Sequence, residues 1–339
     1  GMFAFAIYDR QEKTVFAARD RFGIKPFYYY KDDSKFVFAS EIQAILLTLP
    51  QKPEPDEQSI FNYLVFNGTD QTESTFFKNI KKLSHGESIW IENGEVAYNK
   101  WYDLRENLKE PFKDASEFKE SLSSACGLRL RSDVPVGVCL SGGLDSSSIV
   151  SLLTQDHQKE DLATFSAVYE KGLEADESPF IDEYKDRLKN MFYITPTADT
   201  LLDDLNLVVK AHGEPLPATS PYAQFKVMQL AKGKAVVLLD GQGADEHLAG
   251  YSYFFGFYFK ELFTELRLLK FFTEVFHYLK NHRSLFGLKT FLYLFMSKSL
   301  KTKIRVSQKG CVNPEFRDRF SGDNVFSSQI YGPGKLQMR

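Results

Sequence analysis

Along the first hundred residues, apolar and polar positions change over in short runs separated by turn residues. Met2–Tyr8 and Thr14–Ala18 flank the polar Asp9–Lys13, and Pro26–Tyr30 and Lys35–Ala39 flank Asp32-Asp33-Ser34. Glu87–Ile91 and Glu95–Ala97 flank Asn93-Gly94, a two-residue hairpin signal. Met2–Tyr8 reads as a core strand, and helical stretches interrupt at Glu41–Leu47 and Glu57–Phe66. This pattern predicts an α+β domain dominated by antiparallel strands. From about Pro111 the rhythm changes. Asp114 with Glu117 reads as a capping box, and Phe118, Leu122, Ala125 and Cys126 share one helical face. Strands are predicted at Val134–Leu140, Leu162–Val168, Phe192–Thr195 and Ala235–Leu239. Helices are predicted at Ser146–Leu153, Pro179–Lys189 and Tyr222–Ala231. Alternating strands and helices imply an α/β fold with a doubly wound parallel sheet, whose ligands bind beyond the carboxyl ends of the strands.

Two of those strand ends carry unusual loops. The apolar run Val134–Leu140 passes into Ser141-Gly-Gly-Leu-Asp-Ser-Ser147 and then into a helix. Gly142 and Gly143 admit backbone amides to an anion, and Ser146 and Ser147 open a helix whose positive dipole end faces the same point. Asp145 would repel phosphate there unless a divalent cation, Mg²⁺ by its chemistry, bridges the two. Gly-x-x-x-x-Gly-Lys-Ser/Thr is absent, so this is a nucleotide loop of another type. The second loop, Asp240-Gly-Gln-Gly-Ala-Asp-Glu246, closes the fourth strand. If both loops belong to one sheet, Asp145 and Asp245 face one crevice and suit a Mg²⁺-pyrophosphate leaving group. The plain alternative for either loop alone is a turn with solvated acids.

Composition narrows the class. The 339 residues carry a net charge of -3, with no basic excess of the kind nucleic acid requires. Cys126, Cys139 and Cys311 have no metal or redox spacing, which suits a reduced cytoplasmic protein. Tyr251–Met296 is aromatic but interrupted by Lys260, Glu261, Glu265, Arg267, Lys270, Glu274 and Lys280, so amphipathic helices rather than a membrane span are expected. The chain starts on Gly1-Met2-Phe3 inside an apolar run and stops at Gly332–Arg339 without a terminal element, which reads as a piece of a longer protein of about two domains.

Ser141–Ser147 resembles the pyrophosphatase loop of ATP-pyrophosphatase enzymes. Together with Asp240–Glu246 it is similar to the glutamine-hydrolysing asparagine synthetases. Gly1-Met-Phe-Ala-Phe-Ala-Ile-Tyr-Asp9, Ala18-Arg-Asp-Arg-Phe-Gly-Ile-Lys-Pro-Phe-Tyr28 and Phe38-Ala-Ser-Glu-Ile42 resemble the later part of that family's glutaminase domain. The resemblance runs from residue 1 to about 255. It implies a partial amidotransferase domain of the N-terminal-nucleophile type over 1–108 and a truncated ATP-binding domain over 109–339. It further implies amidation of aspartate through an acyl-adenylate, with ATP and Mg²⁺ as cofactors, ammonia from glutamine, and a homodimer as one possible assembly. Carried over by position, Ser141, Gly142, Gly143, Ser146 and Ser147 would hold phosphates, and Asp145 and Asp245 would bind Mg²⁺. The backbone at Cys139, Ala167, Asp240 and Gly241 would meet the nucleoside.

The family's N-terminal cysteine nucleophile is not in this chain, so the chain as it stands is not expected to hydrolyse glutamine. Gln242 occupies a catalytic-loop position where some members carry Glu, and an amide is no general base. Rival readings are an adenylating relative acting on another carboxylate, such as a β-lactam synthetase or a peptide-tailoring amidotransferase, and an inert or regulatory fragment. Smaller signals have bland alternatives. Asp176-Glu177-Ser178 reads as a nucleotide contact or a helix cap. Gly213–Pro221 reads as a pocket wall or a rigid connector. Arg19 and Lys25 read as fold contacts, and His247 as structural.

Overall fold

The computed structural model describes residues 1–108, 110–170, 173, 176–307 and 312–320; Cys311 and Gly332–Arg339 lie outside the described residues. Contacts divide the described chain into two units. One contains Gly1–Glu110, Val209–Pro217 and described residues of 297–320; the other contains Pro111–Val208 and Ala218–Met296.

In the first unit, strands β1 (Ala4–Asp9), β2 (Thr14–Arg19), β3 (Tyr28–Lys31) and β4 (Phe36–Ala39) are followed by helices α1 (Ile42–Leu46) and α2 (Glu57–Phe66). Strands β5 (Ile80–Lys82), β6 (Glu87–Glu92) and β7 (Glu95–Lys100) complete two antiparallel sheets, ordered β1-β2-β6-β7 and β4-β3-β5. The hairpin read at Asn93-Gly94 is present: Glu92 pairs with Glu95, and both turn residues have positive φ, 50° and 82°. Such turns match the twist of the strands that they join. Met2–Tyr8 differs from its reading as a core strand. β1 lies at a sheet edge, and Phe5, Ile7 and Tyr8 are exposed. Buried Ala17, Phe27, Tyr29, Leu83 and Ile89 form a core drawn from both sheets.

Lys82 at the end of β5 is only 5% exposed, yet it is fully partnered. Its Nζ donates to Thr69 O (2.7 Å) and Asp70 (2.9 Å) and pairs with Glu214 (3.3 Å), whose other oxygen accepts from Phe76 N at 3.0 Å. A buried ammonium is tolerated only when it is paired in this way. The pair holds the Gly213–Pro217 part of the proline-rich segment within the first unit.

The second unit opens with α3 (Ala115–Arg129), where Asp114 accepts from Ser116 N and Glu117 N (2.8 and 3.0 Å). Glu117 reaches back to Lys113 N, one residue beyond the usual capping-box partner. Then come β8 (Val136–Cys139), α4 (Leu144–Gln155), β9 (Ala163–Ala167), α5 (Ser178–Asp182), β10 (Asn190–Ile194), α6 (Ala198–His212, of which Val209–His212 are counted with the first unit), α7 (Ser220–Ala231), β11 (Val237–Leu239) and α8 (Ala244–Leu248). The strands form one parallel sheet ordered β10-β9-β8-β11. Alternation along β8 sends Val138 and Leu140 to a core with Val150 and Leu153 of α4. Cys139 goes to a core with Phe165, Val227 and Ala231, so helices cover both faces. The helix read at Pro179–Lys189 stops after Asp182, and turns carry the buried Tyr184 and Leu188 onward. α6 carries no element in the sequence reading. Helices α9 (Phe254–Thr264), α10 (Leu268–His282) and α11 (Phe286–Leu294) enclose Phe259, Leu262, Phe271, Tyr278 and Phe291. No described helix is long and apolar enough to cross a membrane. Helices α12 (Lys298–Ser307) and α13 (Pro314–Phe320) pack on α2 in the first unit, around Phe61 and Val65.

Candidate active site

Strand order sets the location of the site. From β8 the chain steps to β9 and β10 on one side, whereas β11 joins on the other. A crevice opens at such a switch, beyond the carboxyl ends of the strands. The loops after β8 and β11 meet there. A Cβ placed on Gly241 would lie 3.0 Å from Asp145 Cβ and 3.0 Å from Ser146 N, so a side chain there would force the Asp145–Ser146 segment to give by a few tenths of an ångström.

The first loop is tied by its own hydroxyls. Ser146, 5% exposed, donates from Oγ to Gly143 O (3.2 Å) and accepts from Ser141 N (3.1 Å); the Ser141 and Ser146 hydroxyls share a 2.9 Å bond. Gly143 N donates to Ser141 Oγ at 3.2 Å. These hydroxyls shape the loop, while the first amides of α4 have no intrahelical acceptor and face outward from its start. Gly142 adopts φ +90°, and a Cβ there would stand 2.7 Å from Glu177 O. A cleft of about 580 Å³ borders this loop, lined by Gly142, Gly143, Ser147, Glu177, Tyr184 and Arg187. Tyr184 donates to Ser147 O at 2.9 Å. In the Asp176-Glu177-Ser178 run, Asp176 takes the capping part by accepting from Ser178 N (3.1 Å), and Glu177 leans on the glycines.

The second loop is held by fewer bonds. Asp240 accepts from Gln242 N (3.0 Å) and from Gln224 Nε2 of α7 (3.0 Å). The Gln242 side chain is exposed. Glu246 accepts from the Tyr251 hydroxyl at 3.0 Å. Burial raises the Asp145 pKa above the ordinary carboxylate range, and the charges of Asp245 and then Glu246 raise it further. Like charges gathered at the start of a helix are the electrostatic condition that a cation relieves. Among the described residues no three His, Cys, Asp or Glu side chains form a ready-made metal cage. Mg²⁺ characteristically takes one or two carboxylates and completes its shell with phosphate oxygens and water, and the Asp145–Asp245 pair fits that donor set.

The remaining sequence candidates divide between the two units. Cys139 is buried at the end of β8, where burial and then Asp240 push its thiol up to about 12, leaving it unreactive. Ala167 ends β9, and Ser147 lies in the first turn of α4. Arg19 is structural: its guanidinium donates to Lys25 O, Leu83 O and Gly23 O. Sequence reasoning missed Gln224, Tyr184 and Arg187, none of which belongs to a local motif.

An asparagine synthase family model matches residues 117–307, and a glutamine amidotransferase domain model matches residues 1–102. Among curated relatives, the glutamine-hydrolyzing asparagine synthetase 3 of Bacillus subtilis is 32% identical, covering 75% of this chain and 44% of the relative. Asparagine synthetase 1 of the same organism is 30% identical over 74% of this chain and 40% of the relative. Amidase chry2 of Gibberella zeae is 27% identical over 75% and 40%. The chain spans half or less of the length of these curated relatives. With a single family model matching more than half of its residues, the chain belongs to the asparagine synthase family.

Proposed function

We propose that the parallel-sheet unit is an ATP-pyrophosphatase-type synthetase site of a doubly wound fold. In the whole protein it amidates the side-chain carboxylate of aspartate. The divisions 1–108, an amidotransferase domain of the N-terminal-nucleophile type, and 109–339, an ATP-binding domain, describe this organisation. The observation that carries the reading is the meeting of two glycine loops beyond adjacent parallel strands, with Asp145 under the charge of Asp245.

In the first step the aspartate carboxylate attacks the α-phosphorus of ATP; the bond to the β-phosphate bridge breaks, leaving an acyl-adenylate and pyrophosphate. Ammonia, released from glutamine in the whole protein, then attacks the acyl carbon, and AMP leaves as asparagine forms. Gly142, Gly143 and the first amides of α4, with Ser141, Ser146 and Ser147, hold the pyrophosphate end. The backbone at Cys139, Ala167, Asp240 and Gly241 holds the nucleoside. Asp145 and Asp245 hold Mg²⁺, which when bound offsets charge on the leaving pyrophosphate. Gln242 orients by hydrogen bonding and carries no proton away. Buried, unpaired Cys126 and Cys139 suit a reducing cytoplasm.

Relatives named amidases support a second reading, in which the same adenylation acts on a different carboxylate. One assay separates the two. The whole protein is given Mg²⁺-ATP and ammonium with aspartate, with other carboxylic acids in its place, or with neither, and AMP, pyrophosphate and the amide product are measured. Aspartate-dependent AMP supports the first reading, and aspartate-independent adenylation of another acid supports the second. ADP as the product overturns both.

A further inference from the structure

Gln224 belongs to no motif, yet it stands where three elements meet. From the first turns of α7 its Nε2 donates to Asp240 Oδ2 at 3.0 Å and touches Cys139 Sγ at 3.8 Å. Cys139 is the last residue of β8, two positions before Ser141; Asp240 follows β11, one position before Gly241. β11 contributes only Val237–Leu239 to the sheet and has one neighbour, so its ladder to β8 is short. The Asp240 carboxylate also accepts from Gln242 N, so whatever fixes its orientation fixes the turn that leads to Asp245.

Resting on the nucleotide reading above, we propose that Gln224 is a positioning residue, a cross-tie from α7 that sets the spacing of the two loops so that Asp145 and Asp245 serve one Mg²⁺-ATP. The bond has a polarity: an amide donor meets a carboxylate acceptor. The titratable groups facing position 224 are Asp240 from the end of β11 and Cys139 from β8. Lys226 on the same helix is occupied by Asp204 at 2.8 Å.

Exchanging the polarity therefore tests the tie. In Gln224→Glu two carboxylates oppose each other, and the pair holds only while it shares a proton. Relative to wild type at the same pH, the Kd of this chain for Mg²⁺-ATP should be near normal at pH 5.5 and about tenfold weaker at pH 8.5. Adding Asp240→Asn restores an amide–carboxylate pair with the roles reversed, and should return the ratio to near one at every pH. A Gln224→Glu defect that is independent of pH, or that Asp240→Asn fails to rescue, overturns the cross-tie. If wild type itself binds no Mg²⁺-ATP, the nucleotide reading falls and the cross-tie with it.

Discussion

Two buried or half-buried aspartates, one in each unit, are treated in opposite ways. Asp20, 1% exposed, sits in the turn after β2 and accepts backbone N–H groups from Phe3, Phe22, Ile24 and Lys25 at 2.9–3.3 Å. Burial alone would raise its pKa, but the donors of Lys25, Ile24, Phe22 and Phe3 outweigh burial and hold it below the ordinary value. Asp145 has no such collar. Burial, Asp245 and Glu246 all push its pKa up. A carboxylate surrounded by donors is a structural part, since its charge is already answered within the fold. One surrounded by other carboxylates has its charge answered from outside, and a site is where a fold tolerates that cost.

Asp145→Asn breaks the comparison most forcefully. Removing a repelled charge should leave unfolding by urea unchanged or shifted slightly toward greater stability. The same change should weaken Mg²⁺-ATP binding about 100-fold or more, the scale of a lost metal ligand and its charge. A titration of binding beside an unfolding curve reads both. Equal loss of stability and binding would make Asp145 another Asp20.

Asp20→Asn is the converse. An amide nitrogen would face the N–H groups of Phe3 and Lys25, and the loss should be about 3 kcal/mol of stability, the range for hydrogen bonds to a charged acceptor left unmade. The pH dependence has a definite sign. The folded pKa lies below the unfolded value of about 3.8, so the contribution is complete above that value and fades as pH falls through the folded pKa. Urea midpoints of wild type and Asp20→Asn should therefore converge in acid and stay apart at pH 7. A constant gap across pH would mean that the charge of Asp20 is not what the turn uses.

What a sequence can show follows the same division between local and long-range causes. The Asn93-Gly94 hairpin, the Asp114 cap and both glycine loops are local, and each was legible because turn chemistry is written within a few residues. β5 was not legible. It is three residues long, and its Lys82 is buried on account of Glu214, 132 positions away. Gln224 was hidden for the same reason, since its partner Asp240 lies 16 positions away, beyond the rest of α7 and β11. α6 is a different kind of miss. Thr197 and Thr200 cap each other at its start, and Leu201, Leu205 and Val208 repeat at helical spacing, so the signal was present and unread. Met2–Tyr8 reads as a core strand because hydrophobicity reports what a strand prefers, not whether a neighbour has covered it.

The smallest expected effect on nucleotide binding comes from Gly250→Ala, and it tests whether Asp245 is as loosely held as the comparison requires. Gly250 N donates to Asp245 O at 2.9 Å, closing the loop after α8, and a Cβ at Gly250 would overlap Asp245 Oδ1. The overlap is with the Asp245 carboxylate, while Asp245 Cα would stand 3.2 Å away, and the φ of Gly250 is not in the left-handed region, so the new methyl forces a rotamer change and a backbone shift of a few tenths of an ångström. Unfolding should shift by less than about 1 kcal/mol, the cost of moving one side chain off its preferred well. Mg²⁺-ATP affinity should nevertheless fall several-fold, because the carboxylate displaced is one of the two proposed above to hold Mg²⁺. If affinity is untouched while Asp245 is pushed aside, then Asp145 alone carries the metal, and the pairing of acids across the two loops is incidental to the site.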